Sequence, residues 1–368
     1  MNTEANCYLA ALGKVPGVGR GYLRRLITVF GDGAKIWQST AEEIVQKAEL
    51  PQKTAEAVAE FCRTNLDEPE KLRNYCDERG YKIFSLVDAE YPPLLKEIFD
   101  PPACFFIRGN LPPGDGIAIV GSRRSTPYGL RVAESMGKDL AAAGLTVISG
   151  AARGIDTAAH KGALAAGKTV AVLGCGLDIP YPPENRQLLD KIAEQGAVIS
   201  EYLPGTTPHP GNFPSRNRII SGLSRGTLVV EAPIKSGALI TAELALSSGR
   251  DVFAVPAGIY ASSSMGCLRL IQHGAKLVVS ADDILTEYGV KKRPTRPKAG
   301  VNIPLDLTEE ELAVYKTLDT EQPLSIDEII FKTNKNDASH ITVILLQLEM
   351  RGHVKRTDAH GYVRVERT

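Results

Sequence analysis

Between residues 116 and 288, short apolar runs, each ending in glycine or a small polar residue, alternate with stretches of helical period. The runs fall at 117–120, 145–148, 169–173, 197–199, 227–230, 252–255 and 276–279. Runs this short, bounded by turn residues, fit strands covered on both faces. Strand and helix in strict alternation build a mostly parallel sheet, because each parallel neighbour needs a crossover. The expected core is therefore an α/β, doubly wound, mostly parallel sheet with helices on both faces. On such a sheet ligands sit beyond the carboxyl ends of the strands, so the residues that follow each run become the candidate site.

The first strand end reads Gly121-Ser122-Arg123-Arg124-Ser125 and leads into a helical pattern. A helix N-terminus offers free backbone N–H groups, and Gly121 lets the chain approach a ligand closely. Ser122, Arg123 and Ser125 add donors, so the loop is suited to phosphate. The other ends are Ser149-Gly150-Ala151-Ala152-Arg153-Gly154-Ile155-Asp156, Gly174-Cys175-Gly176-Leu177-Asp178, Glu201, and Glu231-Ala232 leading to Lys235-Ser236-Gly237.

Several chemistries are disfavoured. The first loop lacks G-x-G-x-x-G, the second strand ends in Ser149-Gly150 instead of an acid for a ribose, and no P-loop occurs, so a dinucleotide or nucleotide cofactor is not expected. Asp156 and His160, four apart, lack a third ligand and are expected to form a hydrogen-bonded pair that buttresses the loop. Glu201 and Glu231 have two readings: acid and base of a nucleotide or phosphoribosyl hydrolase, or holders of backbone amides and nearby arginines. Six scattered cysteines without a C-x-x-C pair indicate neither zinc nor a disulfide framework, which suits a reducing cytoplasm. No metal is expected, no apolar stretch has the length of a membrane span, and residues 1–8 lack a targeting pattern.

Forty-three basic residues balance 43 acidic ones, so a polyanion must be met by local clusters. Arg123 with Arg124 and Arg216 with Arg218 are such clusters; the basic residues of 291–298 read as a solvated linker. The segment Asn212-Phe213-Pro214-Ser215-Arg216-Asn217-Arg218 opens a helix with an aromatic, an asparagine and two arginines. That set suits single-stranded nucleic acid, because a ring stacks on any base while guanidiniums follow the phosphates. The competing reading makes Phe213 a lid on the core, with Arg216 or Arg218 paired to Glu231.

Flanking segments differ in character. Residues 12–31 place Gly17-Val18-Gly19 between two helical patterns and resemble a helix-hairpin-helix, which either meets a DNA phosphate or only packs. Residues 50–63 look like a degenerate, structural copy with Pro51-Gln52-Lys53 at the turn. Prolines 92, 93, 101, 102, 112 and 113 mark a boundary followed by short extended pieces. After a linker at 291–304, helix starts at Thr308 and Ser325, a third helix over 338–350 and a ribbon over 353–365 have the order of a winged helix. The third helix carries no lysine or arginine, which favours packing or protein contact over groove reading. The expected organisation is an all-α helix-hairpin-helix (SAM-like) domain at 1–90, a core at 91–290, the linker and a winged-helix domain at 305–368.

Together the motifs resemble the DprA/Smf family of bacterial DNA processing proteins. The resemblance rests on Tyr91-Pro92-Pro93-Leu94-Leu95, Asp100-Pro101-Pro102, Ala118 to Arg123, Ser149 to Asp156 with Ala159-His160, and Tyr181-Pro182. It continues through Ser200-Glu201-Tyr202, Phe213 to Leu223, Val230-Glu231-Ala232, Ser236 to Ala242, Gly249-Arg250 and Ala254-Val255-Pro256. It implies a Rossmann-like core that binds and shields single-stranded DNA without catalysis. It further implies a homodimer that loads the RecA recombinase during natural transformation. By motif, the DNA contacts would be Ser122, Arg123, the loop with Gly150, Arg153 and Gly154, Phe213 stacked on a base, Asn217, Arg218, and Lys235, Ser236 and Gly237. Arg186, after Tyr181-Pro182, is a further candidate. Pro210 stands where relatives often carry a lysine, Ala257 where a glycine is usual and Cys267 where an asparagine is usual.

Overall fold

A computed structural model describes residues 3–290, 307–318, 323–333, 337–357 and 361–365. The expected linker at 291–304, with its basic cluster, and the tip of the C-terminal ribbon lie outside them. The chain divides into two compact units, Met1–Arg293 and Pro294–Thr368.

The first unit is built on nine strands: β1 Tyr81–Ser85, β2 Cys104–Gly109, β3 Gly116–Val120, β4 Thr146–Ser149, β5 Thr169–Leu173, β6 Ala197–Ser200, β7 Gly226–Val229, β8 Asp251–Ala254 and β9 Lys276–Leu277. Their order is β1-β2-β6-β5-β4-β3-β7-β8-β9. The seven strands from β6 to β9 run parallel, while β1 and β2 pair antiparallel with each other and β2 pairs antiparallel with β6. The fold is thus α/β, Rossmann-like and doubly wound, and all seven expected runs contribute a strand. From β3 the chain moves outward through β4, β5 and β6, then returns to β7 on the other side of β3. Strand order therefore reverses between β3 and β7, the place where sheets of this class leave a crevice.

Alternation along β3 divides the core. Ile117 and Ile119 pack into one apolar layer with the helices Pro127–Ala142 and Ala281–Glu287, while Ala118 and Val120 enter the opposite layer. That second layer is continuous with the helical segment, where Leu9, Leu12, Leu26, Ile27, Ile36, Ile44 and Val58 are all buried. The helical region expected over 1–90 ends at the helix Glu68–Arg79, and residues 81–85 instead form the outermost strand. Their backbone groups need a partner, and β2 supplies it, so helices and sheet share one compact unit instead of separating at residue 90.

Two helix pairs carry the repeated pattern. Thr3–Ala11 and Arg20–Phe30 flank the hairpin in which Gly17 has φ +83°, and Ala41–Ala48 and Gln52–Thr64 flank Pro51. The proline-rich stretch is partly helical: Pro93–Lys96 makes one turn, started by prolines that need no N–H partner there. Among the described residues no helix is long and apolar enough to cross a membrane.

The second unit contains the helices Glu309–Thr317, Ile326–Thr333 and Ala338–Met350 and the antiparallel pair β10 Val354–Arg356 and β11 Tyr362–Arg364. Thr308 starts the first helix through a capping box with Glu311. The third helix buries Ile341, Ile344, Leu345 and Leu348 against Val314, Leu318 and Ile329. This is the winged-helix order read from the sequence.

Candidate nucleic-acid interface

A cleft of about 650 Å³ opens at the carboxyl edge of the sheet, over the β3–β7 reversal. Its floor is the loop after β3, held from below. The Ser122 amide donates to Glu231 O at 2.7 Å, and the Ser122 hydroxyl accepts from the Arg124 amide at 3.1 Å. Thr126 caps the helix Pro127–Ala142, accepting from the Gly129 amide, and donates its own amide and hydroxyl to the Glu231 carboxylate at 2.7–3.2 Å. Glu231 is 1 % exposed and its oxygens are spent on this turn. It holds backbone amides, the second of the readings its sequence position allowed.

The loop after β4 is shaped by a buried carboxylate and two left-handed residues. Asp156 Oδ2 accepts from the Gly150 and Ala152 amides at 3.2 and 3.4 Å. Ala151 takes φ +51°, a strained conformation for a residue with a side chain, and its carbonyl accepts from Asn185 Nδ2 at 2.9 Å. Gly154 follows at φ +76°, where a Cβ would lie 2.3 Å from Ser122 O, so this loop and the β3 loop meet as closely as backbone allows. Burial raises the Asp156 pKa, opposed first by the Arg216 guanidinium.

His160 is not paired with Asp156, contrary to the sequence expectation. Asp156 turns to the loop amides, while His160 Nδ1 lies 2.7 Å from Thr169 Oγ1 in the core. Thr169 gives its own proton to Val147 O at 2.7 Å, so Nδ1 must be the donor, which leaves the lone pair on the buried Nε2. Burial pushes the imidazole down to about 3, with Arg216 adding to the effect.

The helix Asn212–Gly222 supplies the wall. Phe213, Arg216, Asn217 and Ile220 all line the cleft, and their spacing of i, i+3, i+4 and i+7 is that of one helix face. The Phe213 ring packs over Gly174 and lies 5.4 Å from the Tyr181 ring, and the Arg123 guanidinium sits 4.8 Å over it. Arg216 is 3 % exposed and donates through Nη1 to Val172 O, while its Nε has no partner among the described residues. Burial pushes its pKa down to about 10, against the pull of Asp156. Asn217 Nδ2 donates to Gly237 O at 3.2 Å, tying the wall to the start of the helix Gly237–Ser247, which Ser236 caps. Lys235 stands exposed on the far rim.

The cleft and the small annex beneath Phe213 thus bring together Ser122, Arg123, Gly150, Arg153, Phe213, Asn217, Lys235, Ser236 and Gly237. Arg153 is turned outward, pairing with Glu184. Ser125 and Gly154 do not line either space; they set the fit between the two loops. Arg186 lies in a separate hollow with Arg108, Asp178 and Asp190.

Arg218 is a second correction. One residue past the cleft face, it points about 100° further round the helix, into the body of the unit. There it meets Glu201 and, through Nε at 3.2 Å, Asp100. Arg24 and Arg20 of the hairpin helix also reach Asp100, and Arg20 comes within 3.8 Å of Glu201. The arginine of this pair that faces the cleft is Arg216, which the helical period of 213, 216, 217 and 220 already marks. Arg124, from the basic cluster, and Tyr181, from the Tyr181-Pro182 motif, also line the cleft, as do Pro233 and Ser263, which have no local signal of their own because they arrive from two further loops. Pro210, in place of a lysine, is part of the wall.

A shallower hollow of about 550 Å³ lies against the glycine hairpin, lined by Gly17, Gly19, Gly21, Arg24 and Arg25 among others. Its arginines are engaged, Arg24 with Asp100 and Phe99 O, Arg25 with Glu49 O at 3.0 Å. Among the described residues no group of three or more His, Cys, Asp or Glu could hold a metal ion.

Comparison with known proteins gives a consistent picture. The family described as DNA recombination-mediator protein A matches residues 82–289, and the DprA winged helix domain matches 297–359. Protein Smf of Synechocystis sp. is 35 % identical over 400 residues, covering 99 % of this chain and 100 % of the relative. The X-ray structure of DprA from Streptococcus pneumoniae superposes with a TM-score of 0.67 at 38 % identity, covering 77 % of this chain and 97 % of that one. A structure describing the single-stranded DNA binding mode of DprA from Helicobacter pylori has a TM-score of 0.51 at 28 % identity, covering 56 % and 95 %.

Proposed function

Because the chain belongs to the DNA recombination-mediator protein A family, we propose that its cleft holds a single strand of DNA and performs no chemistry on it. The observation that carries this reading is the Arg123 guanidinium held over the Phe213 ring in the cleft, a cation and an aromatic within reach of one ligand. A base takes the ring face as Arg123 swings from it to a phosphate, with Ser122, Lys235 and the amides around Ser236 and Gly237 as further donors. Arg216, fixed and half satisfied in the wall, supplies positive potential from a buried position where solvent screens it little. The contacts include no hydrogen bond that would select one base, so the binding is tolerant of sequence.

The hydrolase alternative would need a free carboxylate at the cleft. Glu231 is committed to Thr126, Glu201 to Arg218, and Asp156 to two loop amides, which supports the non-catalytic reading. By its family resemblance the protein acts in the cytoplasm as a homodimer that hands the shielded strand to the RecA recombinase in transformation and recombination. The decisive experiment measures affinity against oligonucleotide length. It is expected to climb over several nucleotides; tight mononucleotide binding with no gain from length, or product release from a nucleotide panel, would overturn the proposal.

A further inference from the structure

The cleft does not end at Lys235. The loop after β8 leaves the same edge of the sheet, and its Ser263 already lines the cleft beside Pro233. The helix that ends this loop, Met265–Gln272, is pinned to the Lys235 loop: the Gly266 amide donates to Ala232 O at 2.8 Å, and a Cβ on Gly266 would lie 2.6 Å from that oxygen. At its crest stand Ile259, 68 % exposed, and Tyr260, 94 % exposed, with Ile234, 44 % exposed, on the neighbouring loop. Among the described residues the Tyr260 ring meets no other ring and no cation. A tyrosine held in water on a loop that adjoins a cationic cleft has its whole π-face free.

We propose that Tyr260 is a second stacking platform for the bound strand, so that the strand runs along the sheet edge from Phe213 past Arg123 and Lys235 to the β8 loop. This rests on the single-strand reading and extends it to residues outside the cleft. Phe213 covers the end of β5 at Gly174, and Tyr260 follows β8; the intervening order β5-β4-β3-β7-β8 makes four inter-strand steps, roughly 19 Å. A mononucleotide cannot bridge that span, but a strand of several nucleotides can, with phosphates over Arg123 and Lys235 and a base on each ring. The flanking Ile234 and Ile259 offer apolar edges to the same base.

The test uses the full chain with oligothymidylates of about three to about ten nucleotides. Tyr260→Ala is expected to leave the shortest oligonucleotides unaffected and to weaken the longer ones by about tenfold, while Tyr260→Phe keeps full affinity. In Tyr260→Trp the new indole emission is expected to be quenched by long oligonucleotides and not by short ones. If Phe213→Ala weakens every length and Tyr260→Ala weakens none, this extension fails while the cleft reading stands. If neither substitution changes any affinity, the cleft reading fails as well. If Tyr260→Ala instead alters the oligomeric state with no change in length dependence, Tyr260 is a contact between copies and the proposal is overturned.

Discussion

Arg218 donates through Nη2 to both carboxylate oxygens of Glu201, at 2.5 and 2.6 Å, with both side chains 8 % exposed. Removing Arg218 leaves the Glu201 charge buried with only the more distant Arg20 to meet it, a loss that approaches the roughly 3 to 5 kcal/mol of a broken buried pair. Arg218→Ala is therefore expected to lower the denaturation midpoint sharply. Burial already raises the Glu201 pKa, and Arg218 is the largest influence holding it down. Without Arg218 the folded state holds the Glu201 proton to higher pH than the unfolded chain does, so the deficit should grow as pH rises from 5 to 8. A denaturant series at both values checks this. A deficit that shrinks with rising pH would contradict the pairing.

The salt dependence of binding separates Arg218 from Arg123. Each phosphate contact on a single strand contributes about 0.7 to the slope of log affinity against log salt. Arg123→Ala is expected to reduce the slope by about that amount, while folded Arg218→Ala leaves it unchanged. Phe213→Ala should cost about 1 to 3 kcal/mol of affinity and leave the slope unchanged, because stacking releases no counterion. Titration at three salt concentrations distinguishes the three variants.

Much of this was legible in the sequence because periodicity is local. The seven parallel strands and the loops at their ends follow from apolar runs and the residues that stop them. The β1–β2 pair was not, since 81–85 and 104–109 gain their meaning only from pairing across a proline-rich connection. The choice between Arg216 and Arg218 was available: helical period puts Arg216 with Phe213 and Asn217, and a motif read as a string does not weigh it. Glu201 was legible as a holder of arginines, but the pairing was not: the sequence offered Glu231 as the partner of Arg216 or Arg218, whereas packing of a strand end against a helix brings Arg218 to Glu201 and leaves Glu231 on Thr126.

Gly150 tests how far the cleft depends on Arg216. A Cβ at Gly150 would lie 2.1 Å from Arg216 Nη1 and 2.5 Å from its Cζ, so Gly150→Ala must displace a buried guanidinium from Val172 O. The expected result is a loss of stability of about 1 to 3 kcal/mol together with weaker strand binding. Gly144→Ala controls for general glycine effects. It has φ +98° and open space around its Cα, so it should cost stability without changing the affinity of the folded protein. Equal affinity in both variants would show that Arg216 has no part in the site.

His160 gives the chain an acid-sensitive element away from the cleft. Folded, its imidazole titrates at about 3 because it is buried; unfolded, it titrates near its usual 6.5. Between those values the unfolded chain binds a proton that the folded chain refuses. The His160 contribution to stability therefore falls with pH throughout that window, by on the order of 1 kcal/mol per pH unit. His160→Gln can still donate to Thr169 and carries no titrating group. At pH 7 the variant should be less stable than the parent, through imperfect packing, and the gap should close as pH falls towards 4.5, because only the parent loses stability by this route. The buried Asp156, with its raised pKa, is common to both proteins and cancels in the difference. Parallel stability curves across that range would mean that His160 keeps its proton in the folded core, against the burial of an Nε2 that has no acceptor beside it among the described residues.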